Sequence, residues 1–285
     1  MKTIGVCGAG AMGSGIALAC LRAGYSVNLY DSSDSARLQS QNFLRAAFTR
    51  LVEKNVMTSD DVEISLAHLR NCATLKELAE CDMVIEAIIE DKSAKAALFE
   101  KLSTVLRQDA LIASNTSSFS ITALAQSVSN PVRFLGMHFF NPAHIMPLVE
   151  IIPHVQTADT VLATATDFTR TIKKTPVLAR DTPGFIVNRV ARSFYLEAMT
   201  LARENAATIE QIDALMRSAG FKLGPFELMD LIGLDVNFAV TLSVWEQFFH
   251  EARFAPSPMQ REYIEAGRLG RKSNAGFYEY SQKTE

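Results

Sequence analysis

The sequence predicts an α/β domain, built on a mostly parallel sheet covered on both faces, followed by an all-α C-terminal domain. Three observations predict it. Strand and helix signals alternate through about the first 180 residues, a glycine-rich turn joins the first strand to the first helix, and from Phe185 onward only helical periodicity remains. The texture changes at Asp181-Thr182-Pro183-Gly184, which puts the domains at 1–182 and 183–285.

The elements follow in order. Thr3 to Cys7 is a short β-prone run, Ala11 to Ala23 is small and apolar at helical spacing, and Ser26 to Tyr30 is a second strand closed by Asp31. The polar, helix-compatible tract from Ser32 to Leu69 exceeds a normal crossover helix. It reads as two antiparallel helices broken near Asn55–Asp60, with Thr58 or Ser59 as cap of the second. Strands are expected at Met83–Ala87, Leu111–Ser114, Phe134–His138, Pro147–Ile152 and Thr175–Leu178. Helices are expected at Lys92–Leu106, Ile121–Ser127 and Asp159–Thr171. In the second domain the helical stretches are Phe185–Asn205, Thr208–Ala219, Phe226–Leu231, Asp235–Glu251 and Met259–Ala266, with Pro183 suited to open the first of them.

The 285 residues carry 48% hydrophobic and 21% charged side chains and a net charge of -3, the balance of an ordinary globular protein. No basic stripe stands out, which argues against nucleic acid as a partner, so an anionic ligand must be held by local cations. The apolar stretches are too short or too interrupted to span a bilayer. Met1-Lys2 runs straight into a strand, so no targeting peptide is expected. Cys7, Cys20, Cys72 and Cys81 sit in apolar contexts without metal or redox spacing, and read as reduced core thiols of a cytoplasmic protein; no metal is expected.

Gly8-Ala9-Gly10-Ala11-Met12-Gly13 matches GxGxxG between a strand and a helix. The first glycine allows the tight turn, the second lets backbone approach a pyrophosphate, and the third lets helix and strand pack closely. The helix N-terminus offers N–H groups and a positive dipole to phosphates. Asp31, at the end of the second strand, is placed to take the ribose hydroxyls and would repel a 2′-phosphate, so the expected cofactor is NAD rather than NADP. A glycine turn beside a solvated aspartate is the blander alternative, and the loop and Asp31 occurring together weigh against it.

His138 ends a strand in Met137-His138-Phe139-Phe140-Asn141-Pro142, and Glu150 follows in Val149-Glu150-Ile151-Ile152 on what reads as the neighbouring strand. Histidine titrates near neutrality and is suited to take a hydroxyl proton as hydride leaves, while a carboxylate on its other nitrogen would fix the tautomer. Either residue alone reads more plainly as a core histidine or an edge-strand glutamate. Ser114-Asn115-Thr116-Ser117-Ser118 lies beyond a strand end, where open α/β sheets bind ligands, although Ser118 or Ser120 also suits a helix cap. Asn188 stands one turn into an apolar helix and is suited to donate to an oxyanion.

Together GAGAMG, Asp31, SNTSS, MHFFNP, PLVEI, PGFIVNR, GPFELMDLIGLD and GRKSNAGFYEY resemble the L-3-hydroxyacyl-CoA dehydrogenases over nearly the whole chain. The resemblance implies a Rossmann-like NAD-binding domain, a helical C-terminal domain that forms a homodimer, and a helical hairpin, here within 33–69, that closes over an acyl-CoA substrate. It implies His138 as base with Glu150 as partner, and Ser117 and Asn188 holding the substrate's 3-oxygen. Glu90, Lys95, Ser117, Asn141 and Lys272 would lie at the cofactor beside the glycine loop and Asp31. A hairpin lysine would meet CoA phosphate, Lys54 first and Arg50 next. The implied activity interconverts (S)-3-hydroxyacyl-CoA and 3-oxoacyl-CoA in fatty acid or aromatic-acid breakdown.

One departure stands out: His144 replaces the family's usual second proline after Asn141-Pro142. Within the family, the stretch Asp235 to Val240 looks closest to members acting on 3-hydroxyadipyl-CoA. A β-hydroxyacid dehydrogenase would place a lysine four residues before the asparagine, where this chain has Gly184. A sugar-acid (gulonate-type) dehydrogenase shares the glycine loop but not the MHFFNP and SNTSS set. A non-catalytic nucleotide-binding protein would have no need of His138, Glu150, Ser117 and Asn188 together.

Overall fold

A computed structural model describes residues 1–280, and the chain folds as two units, Met1–Asp181 and Thr182–Glu285. The first unit contains β1 (Thr3–Cys7), α1 (Ala11–Arg22), β2 (Ser26–Tyr30), α2 (Asp34–Glu53), α3 (Ser59–Ala67), β3 (Leu69–Cys72), β4 (Met83–Glu86), α4 (Lys92–Val105), β5 (Leu111–Ser114), α5 (Ile121–Ala125), β6 (Phe134–Phe139), β7 (Leu148–Ile152), α6 (Asp159–Thr171) and β8 (Thr175–Leu178).

The eight strands form one sheet in the order β3-β2-β1-β4-β5-β6-β7-β8. Among these pairings only β6–β7 is antiparallel. Strands β4, β5 and β6 are buried along their whole length, which explains why they read as apolar runs rather than alternating ones. The order reverses between β1 and β4, so the crevice outside their carboxyl ends is where such a sheet receives a ligand.

Strand β3 is an addition to the reading from sequence. It is four residues long, LRNC, and too polar to announce itself, because it is an edge strand stabilised by pairing Leu69–Cys72 with Val27–Tyr30 of β2. Thr58 caps α3 with a full capping box, its Oγ1 accepting from Asp61 N–H while the Asp61 carboxylate accepts from Thr58. Ser120, not Ser118, caps α5.

The second unit is helical: α7 (Val187–Arg203), α8 (Ile209–Ser218), α9 (Pro225–Ile232), α10 (Leu234–Gln247) and α11 (Pro258–Glu265). Pro183 does not open α7. Gly184 (φ 75°) and Phe185 (φ 48°) are left-handed, so the helix starts only at Val187 and Asn188 is its second residue. Likewise α10 stops at Gln247, because Phe249 and His250 adopt positive φ.

Two buried aspartates tie this unit together. Asp213 accepts from the N–H groups of Phe226 and Glu227 at the start of α9 and from the Tyr278 hydroxyl, at 2.8 to 2.9 Å. Asp230 accepts from Phe277 N–H, Tyr278 N–H and the Tyr280 hydroxyl. Gly276 is needed at this second staple: a Cβ there would fall 2.1 Å from Asp230 Oδ1. The GPFELMD and NAGFYEY segments therefore find their reason in packing. Among the described residues no single helix is long and apolar enough to cross a membrane, and all four cysteines are buried and free.

Candidate active site

The turn after β1 is built for close approach. Gly8 has φ 104°, and a Cβ on it would sit 2.4 Å from Ala87 O. A Cβ on Gly13 would sit 1.8 Å from Gly8 O, so neither position admits a side chain. Gly10 differs, with nothing within 4 Å of where its Cβ would be. It is the N-cap of α1, has no side-chain cap, and is followed by a first turn with no acidic residue. Open space over an uncapped helix N-terminus fits a pyrophosphate.

Asp31 directly follows the carboxyl end of β2, and its carboxylate is held by two backbone donors. Its Oδ2 accepts from Ala9 N–H at 2.8 Å and its Oδ1 from Ser33 N–H at 2.9 Å, so it also pins the glycine loop. Each carboxylate oxygen keeps a further lone pair for a ligand hydroxyl. Arg37 is held locally, donating to the Asp31 carbonyl and paired with Asp34. The donor set, the open Gly10 and the acidic residue fit NAD.

A second cluster stands at the carboxyl ends of β4 and β5. Glu86 and Ser114 are direct cross-strand partners, and the Ser114 hydroxyl donates to Glu86 Oε2 at 2.6 Å. Lys95 Nζ, 1% exposed, lies 2.5 Å from Glu86 and 3.1 Å from Glu90. Burial pushes the Glu86 carboxyl up, and Lys95, Ser114 and the Ile88 N–H offset that only in part. For Glu90 the balance is opposite. Burial again acts upward, but Lys95 and the hydroxyls of Thr116 and Ser118 outweigh it and hold the carboxyl below its usual range.

Glu90 organises the SNTSS loop. Its Oε1 accepts from the Thr116 hydroxyl (2.5 Å), Ser117 N–H (3.0 Å), Ser118 N–H (3.2 Å) and the Ser118 hydroxyl (2.9 Å). The loop's shape is thus set by a carboxylate 26 to 28 residues upstream. Asn115 ties it to the next strand, its Oδ1 accepting from Phe139 N–H at 2.8 Å.

On β6 and β7, His138 and Glu150 are cross-strand partners in the antiparallel register. His138 Nδ1 lies 2.7 Å from Glu150 Oε2, with His138 5% and Glu150 0% exposed. The antiparallel turn of β7 is what makes this contact, since it brings a residue 12 positions downstream back to the carboxyl end of β6. β7 is not an edge strand, because β8 covers it, so Glu150 has no wet face. A carboxylate can only accept, so Nδ1 carries the proton and Nε2 keeps its lone pair in the neutral ring. The Phe140 ring, centred 4.5 Å from the imidazole, shields it further.

The first unit therefore brings Gly8, Gly10, Ala11, Met12, Gly13, Asp31, Glu90, Lys95, Ser117, His138 and Glu150 to the carboxyl ends of its strands. Asn141 is exposed just past β6. Lys54 is the exposed C-cap of α2, and Arg50 lies one turn earlier on the same helix. Asn188 and Lys272 belong to the second unit, where Lys272 Nζ pairs with Asp235 at 2.6 Å. Two organising residues escaped the reading from sequence: Glu86, and Asp181, which accepts from Ile121 N–H, Thr122 N–H and the Ser120 hydroxyl. A charge inside the apolar run Met83–Glu86 was the one available signal.

The model of the 3-hydroxyacyl-CoA dehydrogenase NAD binding domain matches residues 3–182, and that of the family's C-terminal domain matches residues 184–280. The chain is 44% identical over 286 residues to the 3-hydroxyadipyl-CoA dehydrogenase of Escherichia coli K12, covering 100% of this chain and 60% of that protein. It is 38% identical over 277 residues to a probable 3-hydroxybutyryl-CoA dehydrogenase of Deinococcus radiodurans, covering 97% and 99%. The crystal structure of a (S)-3-hydroxybutyryl-CoA dehydrogenase from Ralstonia eutropha is similar at a TM-score of 0.96 and 37% identity, over 99% of this chain and 100% of that one. The chain thus spans 60% of the length of its Escherichia coli relative and nearly the full length of the other two.

Proposed function

The chain belongs to the 3-hydroxyacyl-CoA dehydrogenase family, and from that premise we propose that it interconverts (S)-3-hydroxyacyl-CoA and 3-oxoacyl-CoA with NAD. The observation that carries the reading is the buried His138–Glu150 pair at 2.7 Å. NAD, when bound, accepts or supplies the hydride. In oxidation, Nε2 of His138 takes the 3-hydroxyl proton; in reduction it returns one to the 3-oxygen. Glu150 holds the Nδ1–H tautomer and stabilises the imidazolium once the ring is charged. Ser117 and Asn188 hold the 3-oxygen, Ser117 on a loop that Glu90 braces.

Glycines 8, 10 and 13 with Ala11 and Met12 receive the pyrophosphate, and Asp31 the ribose. Glu90, Ser117, Asn141 and Lys272 flank the rest of the cofactor. Lys95, enclosed by two carboxylates, acts there through Glu90. Lys54 meets the CoA phosphate. The names of the relatives support a 3-hydroxybutyryl or 3-hydroxyadipyl thioester, hence fatty acid or aromatic-acid breakdown. A homodimer through the second unit is supported by its apolar cavity of about 750 Å³ among α7, α8 and α9, with Val190 and Phe221 exposed on its rim. Four unpaired thiols support a reducing, cytoplasmic setting.

The test is NADH oxidation by acetoacetyl-CoA and by 3-oxoadipyl-CoA, with wild type and His138→Gln. Turnover with the wild type and its loss in a variant that still binds NADH is the expected result. Absence of turnover with any 3-oxoacyl thioester would defeat the assignment.

A further inference from the structure

The first unit holds a cavity that the proposed reaction does not use. It measures about 230 Å³ and lies among the end of α1, the loop after β6 and the chain between α6 and β8. Its charged lining has one sign: Arg22, Lys173 and Lys174, joined by the imidazole of His144, which replaces the family's usual proline. No carboxylate lines it.

Lys174 is the residue out of place. It is 7% exposed, and a lysine is almost never buried this far without a charged partner. Among the described residues, however, neither it nor Arg22 nor Lys173 forms an ion pair. Its Nζ donates to the Met146 carbonyl at 2.7 Å. An ammonium carries three donors, so two remain for an occupant of the cavity that Lys174 lines.

The neighbours add to the imbalance. Burial, and then the Arg22 guanidinium, hold the Lys174 ammonium below its usual range, with the Cys20 thiol acting the other way. Burial, Lys174 and Arg22 likewise push the His144 imidazole down. Helix ends explain only part of the arrangement. Arg22 is in the last turn of α1 and Lys173 follows the end of α6, where the negative end of a helix favours a cation. Both of those side chains are exposed. The same effect fades within the last turn and gives no reason to bury Lys174.

A cluster of cations around a cavity without a countercharge calls for an anion. The volume falls below the roughly 300–1,000 Å³ of ordinary small-molecule sites, which suits a compact one. A single carboxylate would leave positive charge in excess. A phosphoryl group carries about −1.5 to −2 near neutral pH, and it suits both the fork of a guanidinium and the point charge of an ammonium.

We propose that this cavity binds a phosphoryl group, either free inorganic phosphate or the phosphate end of a small monoester, held by Lys174 together with Arg22 and Lys173. The site is separate from the glycine loop: Arg22 follows Gly10 by twelve residues along α1, about 18 Å of helix. None of these residues takes part in the reaction proposed above.

The full chain is titrated by calorimetry with inorganic phosphate and with glycerol 3-phosphate, and separately with acetate. Ionic strength is held constant with potassium chloride, and saturating NADH occupies the glycine loop throughout. Saturable binding of phosphate or of the monoester is expected, the tighter of the two naming the source, with none of acetate. Arg22→Gln and Lys174→Met should each weaken it about tenfold or more, the worth of one hydrogen bond to a charged group, while turnover and NADH affinity stay at wild type. Arg22→Gln, at an exposed position, leaves folding intact and decides the matter alone if Lys174→Met does not fold. No saturable binding of either phosphate would mean that the cations only serve the helix ends, and would overturn the proposal. An unchanged affinity in Arg22→Gln, or equal binding of acetate, would overturn it as well. So would displacement of the phosphate by free CoA, which would make the cavity part of the substrate site.

Discussion

Glu150→Gln tests the coupling of the two buried strand residues most sharply. The substitution keeps the shape and an acceptor oxygen for His138 Nδ1–H, so it removes the charge while leaving the geometry. The bond that loses its charge is a 2.7 Å contact between groups 5% and 0% exposed, where solvent screens little. A hydrogen bond to a charged group is worth about 1.5–3 kcal/mol, and about 1.36 kcal/mol corresponds to tenfold in rate. Turnover of acetoacetyl-CoA should therefore fall by about 10- to 160-fold, with the NADH dissociation constant unchanged. His138→Gln removes the base itself and should cost about 10²–10⁴-fold. The double variant should be little worse than His138→Gln, because residues acting as a unit are not additive. Steady-state turnover of all three, with NADH binding and circular dichroism as controls, decides the matter. Losses that multiply, or an Glu150→Gln enzyme within about threefold of wild type, would refute the dyad.

The remaining expectations concern the cofactor, the thioester and pH. Asp31→Ala should narrow the preference for NADH over NADPH, mainly by weakening NADH about tenfold or more, because two bonds to loop and helix backbone vanish with the ribose contact; an unchanged ratio of specificity constants would count against it. Gly10→Ala should leave the melting temperature near wild type and still weaken NADH binding, since its Cβ enters open space, whereas Gly13→Ala should fail to fold stably against Gly8 O; thermal melts with NADH titration separate the two. Lys54→Ala should raise the apparent KM for the thioester about fivefold or more without touching NADH binding, with Arg50→Ala as the alternative if it does not. Glu90 has a depressed carboxyl, so the stability it contributes is present above the unfolded-state value and is lost as pH falls through the folded one. Acid melts of Glu90→Gln should accordingly show a shallower loss of stability than wild type.

Local physics made much of this chain legible. Strands β1, β2 and β5 and the glycine loop follow from short-range constraints: apolar runs, positive φ at Gly8, and a helix that must pack against a strand. The Thr58 cap followed for the same reason, its partner Asp61 being three residues away. Strand β3 did not, because a polar edge strand exists only through the neighbour it pairs with. The start of α7 was misplaced for a related reason, since two left-handed residues override the fitness of Pro183 as a first helical residue.

The site divides the same way. The sequence by itself determined which residue types were present for the chemistry: a histidine and a glutamate at strand ends, an aspartate after β2, and a hydroxyl-rich loop after β5. Only the tertiary structure decided that His138 and Glu150 share one register position, because antiparallel pairing depends on how the chain turns between them. It also decided that buried Glu86 and Lys95 join the more exposed Glu90 in one ionic set bracing the SNTSS loop. Glu86 and Ser114, like Glu90 and Ser118, are 28 residues apart, and such partners are chosen by packing rather than by spacing.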